Sequence, residues 1–481
     1  MLDYLAELSA KLGPAVSTDP QICRAYNHDL GEMPRLLLML FKRTPAVVAL
    51  PRTADEVRAA LTIAHCHQVP VTPRAQASSG YGGSMPTRGG LLLDVSRMNK
   101  VLATDREHKS CDVEPGVVWT DLELKLARDG LALCICPTSG PSSTVGGMFA
   151  MGGMGIGSLK YGSILDVITE IDVVDPDGRL HTESGDALSL YAFSQGALGV
   201  ITRLRLKCRD NTPLVPVALQ VMRSGDVAPL VRELARLGAF SASVLSASYC
   251  VMQAQANGER SSPIGSGSLV LAVFEGEPDA PALADCLVRC KAVRLADDVA
   301  KEEWERRFYP MRIKRNGPAL LVGEYVVDFD RYGPVCEKII RRLPNDRIGF
   351  EAFANRTGQL AVLIYIQDSA EDLLSLFRMG KAMVPLHVAA KHGGTVYATG
   401  LWFNSQTGRV LGKTRMQRFM HKKRELDPKN LMNPGKCCGS GKYFWPFALL
   451  SWGIWIGTIF LGPISSLLKA RPRCIRTHEE A

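Results

Sequence analysis

Thirteen cysteines are spread along 481 residues without one C-x-x-C pair. That argues against an iron–sulfur cluster or zinc ribbon held by the chain itself. Cys134/Cys136 and Cys437/Cys438 stand too close for ordinary ligand sets, and Cys286 and Cys290 form at most a helical pair. No metal site is therefore expected. The opening Met1-Leu2-Asp3-Tyr4-Leu5-Ala6-Glu7 is acidic and lacks an apolar h-region, so it does not read as a secretory signal. Free thiols in such a chain point to a reducing compartment. No compact G-x-G-x-x-G follows a first strand, which argues against a Rossmann unit. The net charge is +9, but no lysine–arginine stripe alternates with aromatics. Nucleic acid is not an expected partner; an anionic substrate or anionic lipid fits the charge better. There is no internal repeat or low-complexity segment, and the length suits two or three domains.

What the chain does have is an uncharged stretch of small residues. It runs Pro137-Thr138-Ser139-Gly140-Pro141-Ser142-Ser143-Thr144-Val145-Gly146-Gly147 and on through Gly152-Gly153-Met154-Gly155 to Lys160-Tyr161-Gly162. Such residues cannot pack a core alone, but they can bring bare backbone N–H groups up to a phosphate. An earlier turn, Pro73-Arg74-Ala75-Gln76-Ala77-Ser78-Ser79-Gly80-Tyr81-Gly82-Gly83, has the same character. Two such loops suggest a dinucleotide held from two sides. Thr53-Ala54-Asp55-Glu56 has the form of a capping box and predicts a helix through about Cys66. His65-Cys66-His67 then lies on helix surface, since residues two apart face different ways. Helices are also predicted at about Trp119–Asp129, Val227–Leu237 and Pro281–Val293. Strands are predicted at Ser268–Phe274, Ala319–Asp328 and Leu360–Ile366. The pattern is α+β.

The order of motifs resembles the flavoprotein family of the vanillyl-alcohol oxidase and p-cresol methylhydroxylase (PCMH) type. Ala49-Leu50-Pro51-Arg52-Thr53-Ala54-Asp55-Glu56-Val57 is followed by the loop at 73–83 and Glu114-Pro115-Gly116-Val117. Then come the Thr-Val-Gly-Gly segment, Lys160-Tyr161-Gly162 with Asp166, Asp175-Pro176-Asp177-Gly178, and Gly196-Ala197-Leu198-Gly199-Val200-Ile201-Thr202. The segment Asp427-Pro428-Lys429-Asn430-Leu431-Met432-Asn433-Pro434-Gly435-Lys436 resembles the end of the D-lactate dehydrogenase and glycolate oxidase branch. The resemblance implies a two-subdomain FAD-binding PCMH-type fold plus an α+β cap domain. Its divisions are a helical lead-in (1–40), an FAD-binding domain (41–210), a cap or substrate domain (211–410) and a return segment (411–438).

The resemblance also implies FAD, held by Arg74, Gln76, Ala77, Ser78, Ser79 and Gly80 in the first loop. Pro137, Ser139, Thr144, Gly146, Gly147, Gly153, Gly155 and Tyr161 are the expected contacts from the second, with Gly199, Val200 and Ile201 beyond it. Binding is expected to be non-covalent, because Ser78 stands near where tethering relatives carry histidine. Ala75 and Ala77 replace glycines usual in the family and disfavour a left-handed backbone. On the cap, Arg307 (or Arg306) with Arg312 are candidate clamps for a substrate carboxylate. The histidine–glutamate metal motifs of the 2-hydroxy-acid branch are absent at Asn355-Arg356-Thr357-Gly358-Gln359 and Lys391-His392-Gly393-Gly394, which leaves His392 and Tyr397 as candidate proton acceptors. The expected activity is oxidation of an alcohol, a 2-hydroxy acid such as D-lactate or glycolate, by hydride transfer to FAD. Rival readings are oxidation of a lipid-linked or apolar alcohol, and a membrane-tethered flavin-binding subunit without turnover.

Residues 443–468 carry no charged side chain and hold three of the six tryptophans. A bilayer core needs about 20 apolar residues as helix. The expectation is one C-terminal transmembrane or anchoring helix, with the flavin domain in the cytoplasm and electrons leaving to a membrane acceptor such as a quinone. Basic residues flank both ends, so the positive-inside rule gives little guidance on topology.

Overall fold

The computed structural model describes residues 3–31, 38–259, 261–308, 310–317, 319–368 and 375–437. The expected apolar helix at 443–468 lies outside the described residues, and no described helix is long and apolar enough to cross a membrane.

Among the described residues, three sheets organise the α+β fold. The first runs, in spatial order, Val16–Ser17, Val47–Ala49, Leu91–Asp94 and Val71–Arg74. Leu91–Asp94 pairs in parallel with both its neighbours, and Leu91, Leu92 and Leu93 are fully buried. A strand covered on both faces can be apolar at every position. The lead-in joins this sheet, because Val16 and Ser17 pair with Ala49 and Val48. Helix Ala54–Cys66 packs beside it. Thr53 Oγ1 accepts from Glu56 N–H at 3.2 Å, while Glu56 reaches back to Arg52 N–H rather than to the cap itself. His67 bonds Glu7 at 3.2 Å, as a helix-surface histidine does.

The second sheet runs Val101–Asp105, Ser110–Val113, Val200–Asp210, Ile168–Val174 and Leu180–Ser184, with Leu131–Leu133 pairing the far end of Val200–Asp210. The third is the cap. Its order is Val293–Arg294, Leu214–Val221, Ser268–Glu275, Ser241–Ser246, Arg347–Ala354, Gln359–Asp368, Ala319–Asp328 and Thr395–Val396. The predicted strand Ala319–Asp328 has those bounds, and the predicted helices appear as Trp119–Arg128, Val227–Arg236 and Ala280–Cys290.

Strand alternation gives the cap sheet two faces. One packs helices Val227–Arg236, Ala280–Cys290 and Phe329–Arg342 in a continuous apolar core. The other carries Leu245, Leu271, Val273, Phe353 and Tyr365 and meets Ile156 of the first domain. Register makes Glu324 a neighbour of Leu363, and Leu363 a neighbour of Glu351. Both carboxyls therefore point to the face that meets the first domain. After the cap, helix Lys413–Leu426 returns to the first domain. Lys423 is buried there, with Nζ on Asp427 (2.6 Å), Ala197 O and Met432 O.

Candidate functional site

The first glycine loop is fastened along its edges and open at its tip. Arg74 Nη1 bonds His28 O at 2.5 Å, and its guanidinium lies over the Tyr26 ring at 5.1 Å. Gly82 N–H donates to Asp29 Oδ2, Asn433 Nδ2 to Gly83 O, and Lys436 Nζ to Met85 O. Leu401 N–H and Trp402 N–H both donate to Tyr81 O. Burial lowers the Lys436 ammonium to about 7, and the nearby Asp29 charge opposes that shift. By contrast, the backbone N–H groups of residues 76 to 80 donate to no described residue. Five consecutive unengaged amides beside the hydroxyls of Ser78 and Ser79 form an anion-binding concavity. That fits the pyrophosphate of FAD. Ala77 holds φ 51 within it, the left-handed conformation that glycine adopts without cost.

The second loop behaves differently from expectation. Gly146 N–H is taken by Pro115 O, Gly147 N–H by Thr144 Oγ1, Gly153 N–H by Met148 O and Gly155 N–H by Ser158 Oγ. These glycines do not offer bare amides. They permit close approach instead: a Cβ on Gly146 would stand 2.5 Å from Pro115 Cβ, and one on Gly155 2.5 Å from Cys136 O. Thr144 caps helix Val145–Met151, and Ser139 accepts the Ser142 and Ser143 N–H groups. Pro137 O accepts from Gly140 N–H. Tyr161 turns to the cap and bonds Glu275 at 2.8 Å. Val200 and Ile201 pair with Val174 and Val173, with Gly199 packed on Val174 O.

The two loops nonetheless converge. Gln195 N–H bonds Ala150 O, at the end of the second loop's helix, while the Gln195 amide sits against Gly83. Asn433 Nδ2 bridges Gly83 O and Gln195 O. Gly83 and helix Val145–Met151 thus share one neighbour, which brings residues 78–83 and 144–155 to the same side of the first domain.

Three side chains that sequence reasoning did not connect meet where the cap comes down on these loops: Tyr81 of the first loop, and Glu324 and Tyr397 of the cap. The Tyr81 hydroxyl donates to Glu324 Oε2. Tyr397 follows the edge strand beside Glu324, and its hydroxyl accepts from Met154 N–H and donates to Met154 O, both at 2.9 Å. All three are largely buried. Burial pushes the Glu324 carboxyl up to about 7, with the Tyr81 hydrogen bond pulling the other way. Burial also raises the Tyr397 phenol, and both its hydrogen-bonding roles are occupied by Met154. Tyr397 therefore acts as a clasp between cap and loop. His392 follows helix Ser375–Lys391, and its side chain bonds none of these groups.

Beyond Glu351 the same sheet face carries a small cavity of about 30 Å³, lined among others by Ile156, Tyr249, Glu303, Trp304, Arg307 and Glu351. Glu303 and Glu351 are only 5% and 6% exposed. Burial pushes each up to about 7, opposed at Glu303 by the Arg306 charge and at Glu351 by bonds from Tyr365 and Tyr249. Arg306 is engaged by Glu259 and Glu302, both at 2.6 Å. Arg312 bonds Asn257 at 3.2 Å. Arg307 differs from both. Its guanidinium stacks on Trp304 and Phe308 and bonds Trp304 O, burial lowers its pKa, and no described carboxylate pairs with it. Arg307 is half-buried and feels Glu123 and Glu305 only from a distance, which leaves its guanidinium free to meet an anionic ligand. The signal for Glu324 and Glu351 was present in the sequence as single carboxylates within apolar strands. Among the described residues no metal-ligating cluster occurs.

Comparison with known proteins agrees with this geometry. Residues 45–184 match the FAD binding domain, and residues 226–437 match the C-terminal domain of FAD linked oxidases. Glycolate oxidase subunit GlcD of Bacillus subtilis is 33% identical over 176 residues, 35% of this chain and 37% of that protein. Mitochondrial D-lactate dehydrogenase [cytochrome] of Arabidopsis thaliana is 33% identical over 204 residues, covering 38% and 36%. Alkyldihydroxyacetonephosphate synthase of Dictyostelium discoideum is 28% identical over 253 residues, covering 47% and 41%. The matched part is thus well under half the length of each of these relatives. Among solved structures, p-cresol methylhydroxylase superposes with TM-score 0.72 at 16% identity over 91% of this chain and 96% of that one. An alkyldihydroxyacetonephosphate synthase superposes with TM-score 0.72 at 20% identity over 90% and 84%. Together, the open amide loop, the cap sheet that closes on it and the two matched domains make this chain a member of the FAD-linked oxidase family.

Proposed function

We propose that the protein oxidises a CH–OH group, with Glu324 receiving the hydroxyl proton. The observation that carries this is the largely buried Glu324 carboxyl, raised to about 7 and held by Tyr81 of the first glycine loop. A carboxylate in that range can take a proton near neutral pH. When bound, FAD supplies the hydride acceptor. Tyr81 orients Glu324 and stabilises its anionic form, and Tyr397 holds the cap strand against Met154.

The substrate class we favour is a 2-hydroxy acid, and the two curated relatives named for glycolate and D-lactate support it. Arg307 is the anion-binding group of the adjoining pocket. Glu324 and Glu351 are separated by two strand spacings, roughly 10 Å. A substrate that reaches from Glu324 to Arg307 therefore carries a chain beyond its carbinol, longer than glycolate or lactate. The apolar pocket walls at Ile156, Leu245, Leu271 and Phe353 favour a second reading, an apolar alcohol.

Electrons pass, in this proposal, to an acceptor in the membrane, because the charge-free residues 443–468 hold the chain at a bilayer with its flavin domain on the cytoplasmic side. Anaerobic mixing with a panel of short and long 2-hydroxy acids and apolar alcohols tests the substrate. Bleaching of the visible flavin band by the longer hydroxy acids is expected. Bleaching by alcohols alone would transfer the assignment to the second reading, and silence throughout would leave a flavin-binding protein without turnover. Turnover should also be faster with a quinone analogue than with oxygen; equal rates remove the argument for a membrane acceptor.

A further inference from the structure

We propose that the face formed by Met39, Leu40, Lys42 and Arg88 docks on the surface of an anionic phospholipid bilayer. Met39 is 78% exposed, Leu40 49% and Leu30 62%. Large side chains seldom stand this far out next to one another without a partner. Arg43 ties their segments together, with Nε on Leu38 O at 3.2 Å and Nη1 on Asn27 O at 3.3 Å. The patch rests on a buried cluster of Phe41, Met85, Leu401 and Trp402, so it is anchored to the fold.

Cations surround it. Lys42, Arg88 and Lys429 are exposed. Lys42 and Arg88 lie side by side, Lys42 N–H bonds Thr87 O, and Arg88 Nη1 bonds Asn430 O at 2.9 Å. Among the described residues, the neighbouring carboxylates Asp29 and Asp427 do not cancel this charge at the surface: Asp29 is buried on the Gly31 and Gly82 N–H groups, and Asp427 is buried on Lys423. Apolar side chains ringed by lysine and arginine match the interface of an anionic bilayer, where the apolar part enters the acyl boundary and the cations stay among headgroups.

The chain's own path singles out the bilayer as occupant. Thr87 Oγ1 bonds Pro434 O at 2.6 Å, and Lys436 Nζ bonds Met85 O at 2.7 Å. The described chain passes Thr87 and Met85, close to Arg88, before Cys437 turns inward to Phe193 O, and the charge-free residues 443–468 follow after a few positions. A tail that enters a bilayer from this point brings the patch to the same surface. The inference rests on the proposed membrane contact of the tail, and its test separates the two.

The test is amide hydrogen exchange on the flavin-loaded, full-length protein, with and without vesicles of phosphatidylcholine containing phosphatidylserine. Vesicle-dependent protection is expected in peptides spanning 38–43 and 86–90, and not at the edge strand Leu180–Ser184. Charge reversal at both Lys42→Glu and Arg88→Glu should keep the flavin colour and weaken vesicle association about tenfold or more. If the protein floats with vesicles while 38–43 and 86–90 exchange unchanged, the tail binds alone and the docking face is overturned. If these peptides are already protected without vesicles, the tail covers the patch and the proposal fails likewise. A protein that does not float at all refutes both the face and the membrane reading of the tail.

Discussion

The Tyr81 hydroxyl donates to a carboxylate oxygen of Glu324 across 243 positions of sequence. One partner stands in the glycine loop of the FAD binding domain and the other in a strand of the cap, so this bond exists only when the two domains are closed on each other. A hydrogen bond to a charged group contributes more than a neutral one, about 1.5–3 kcal/mol. Buried, it also selects the anionic form of Glu324 that can accept a proton.

Glu324→Gln keeps the shape and removes the proton acceptor. The expected result is a fall of about 10²-fold or more in the rate of flavin reduction by substrate, with the visible flavin spectrum retained. Stopped-flow reduction at saturating substrate measures it. An unchanged rate would remove Glu324 from the chemistry.

Tyr81→Phe tests the pair rather than the residue. The Tyr81 hydrogen bond lowers the Glu324 pKa against burial, so its loss raises that pKa further. The active form is the carboxylate. The reduction rate should therefore rise with pH through about 7 in the unmodified protein, and through a higher pH in the variant. A profile that stays in place contradicts the assignment.

Arg307→Ala should raise KM for an anionic substrate by about tenfold to a hundredfold, the loss of one charge-assisted bond, and leave neutral alcohols nearly unaffected. Arg306→Ala should instead lower stability, because Glu259 and Glu302 lose their partner. Equal effects of Arg307→Ala on charged and neutral substrates would speak for a purely structural role.

Ala77→Gly removes a left-handed alanine at φ 51. Such a conformation costs an alanine roughly 1–2 kcal/mol, part of which is offset by the greater freedom of unfolded glycine. A net gain of about 0.5–1 kcal/mol is expected from chemical denaturation, with tighter flavin retention. Lower stability would show that the loop changes shape in solution.

Glu303 and Glu351 predict how stability varies with pH. Each is raised from 4.5 to about 7 by burial. Their contribution is fully present below the unfolded value and is lost as pH rises through about 7. A shift of this size corresponds to something on the order of 3 kcal/mol per group. Glu351→Gln should flatten the decline in Tm over that interval. An unchanged slope would mean that Glu351 is not the group titrating.

Local signals carried much of the fold. The Thr53 cap, the strand Ala319–Asp328 and the order of glycine loops were all legible, because each depends on residues close in sequence. The candidate site was legible only in part. Sequence placed the phosphate-binding role on both loops, whereas the second uses its glycines to let Pro115 and Cys136 approach. Which amides remain free depends on what packs around them, and no composition of the loop itself discloses that.

The chemistry on the cap lay further out of reach. Glu324 and Glu351 are single carboxylates in apolar strands, a sign visible in the sequence but without direction. Strand register turned both to one face, and domain closure brought Tyr81 to one of them. Likewise three arginines at 306, 307 and 312 looked alike until packing gave Arg306 its carboxylates and left Arg307 stacked on rings. Motif order along the chain determined that this protein binds FAD. Which groups face the bound flavin and substrate was decided by contacts between residues hundreds of positions apart, since burial and partners, rather than residue type, set the charge and availability of a side chain.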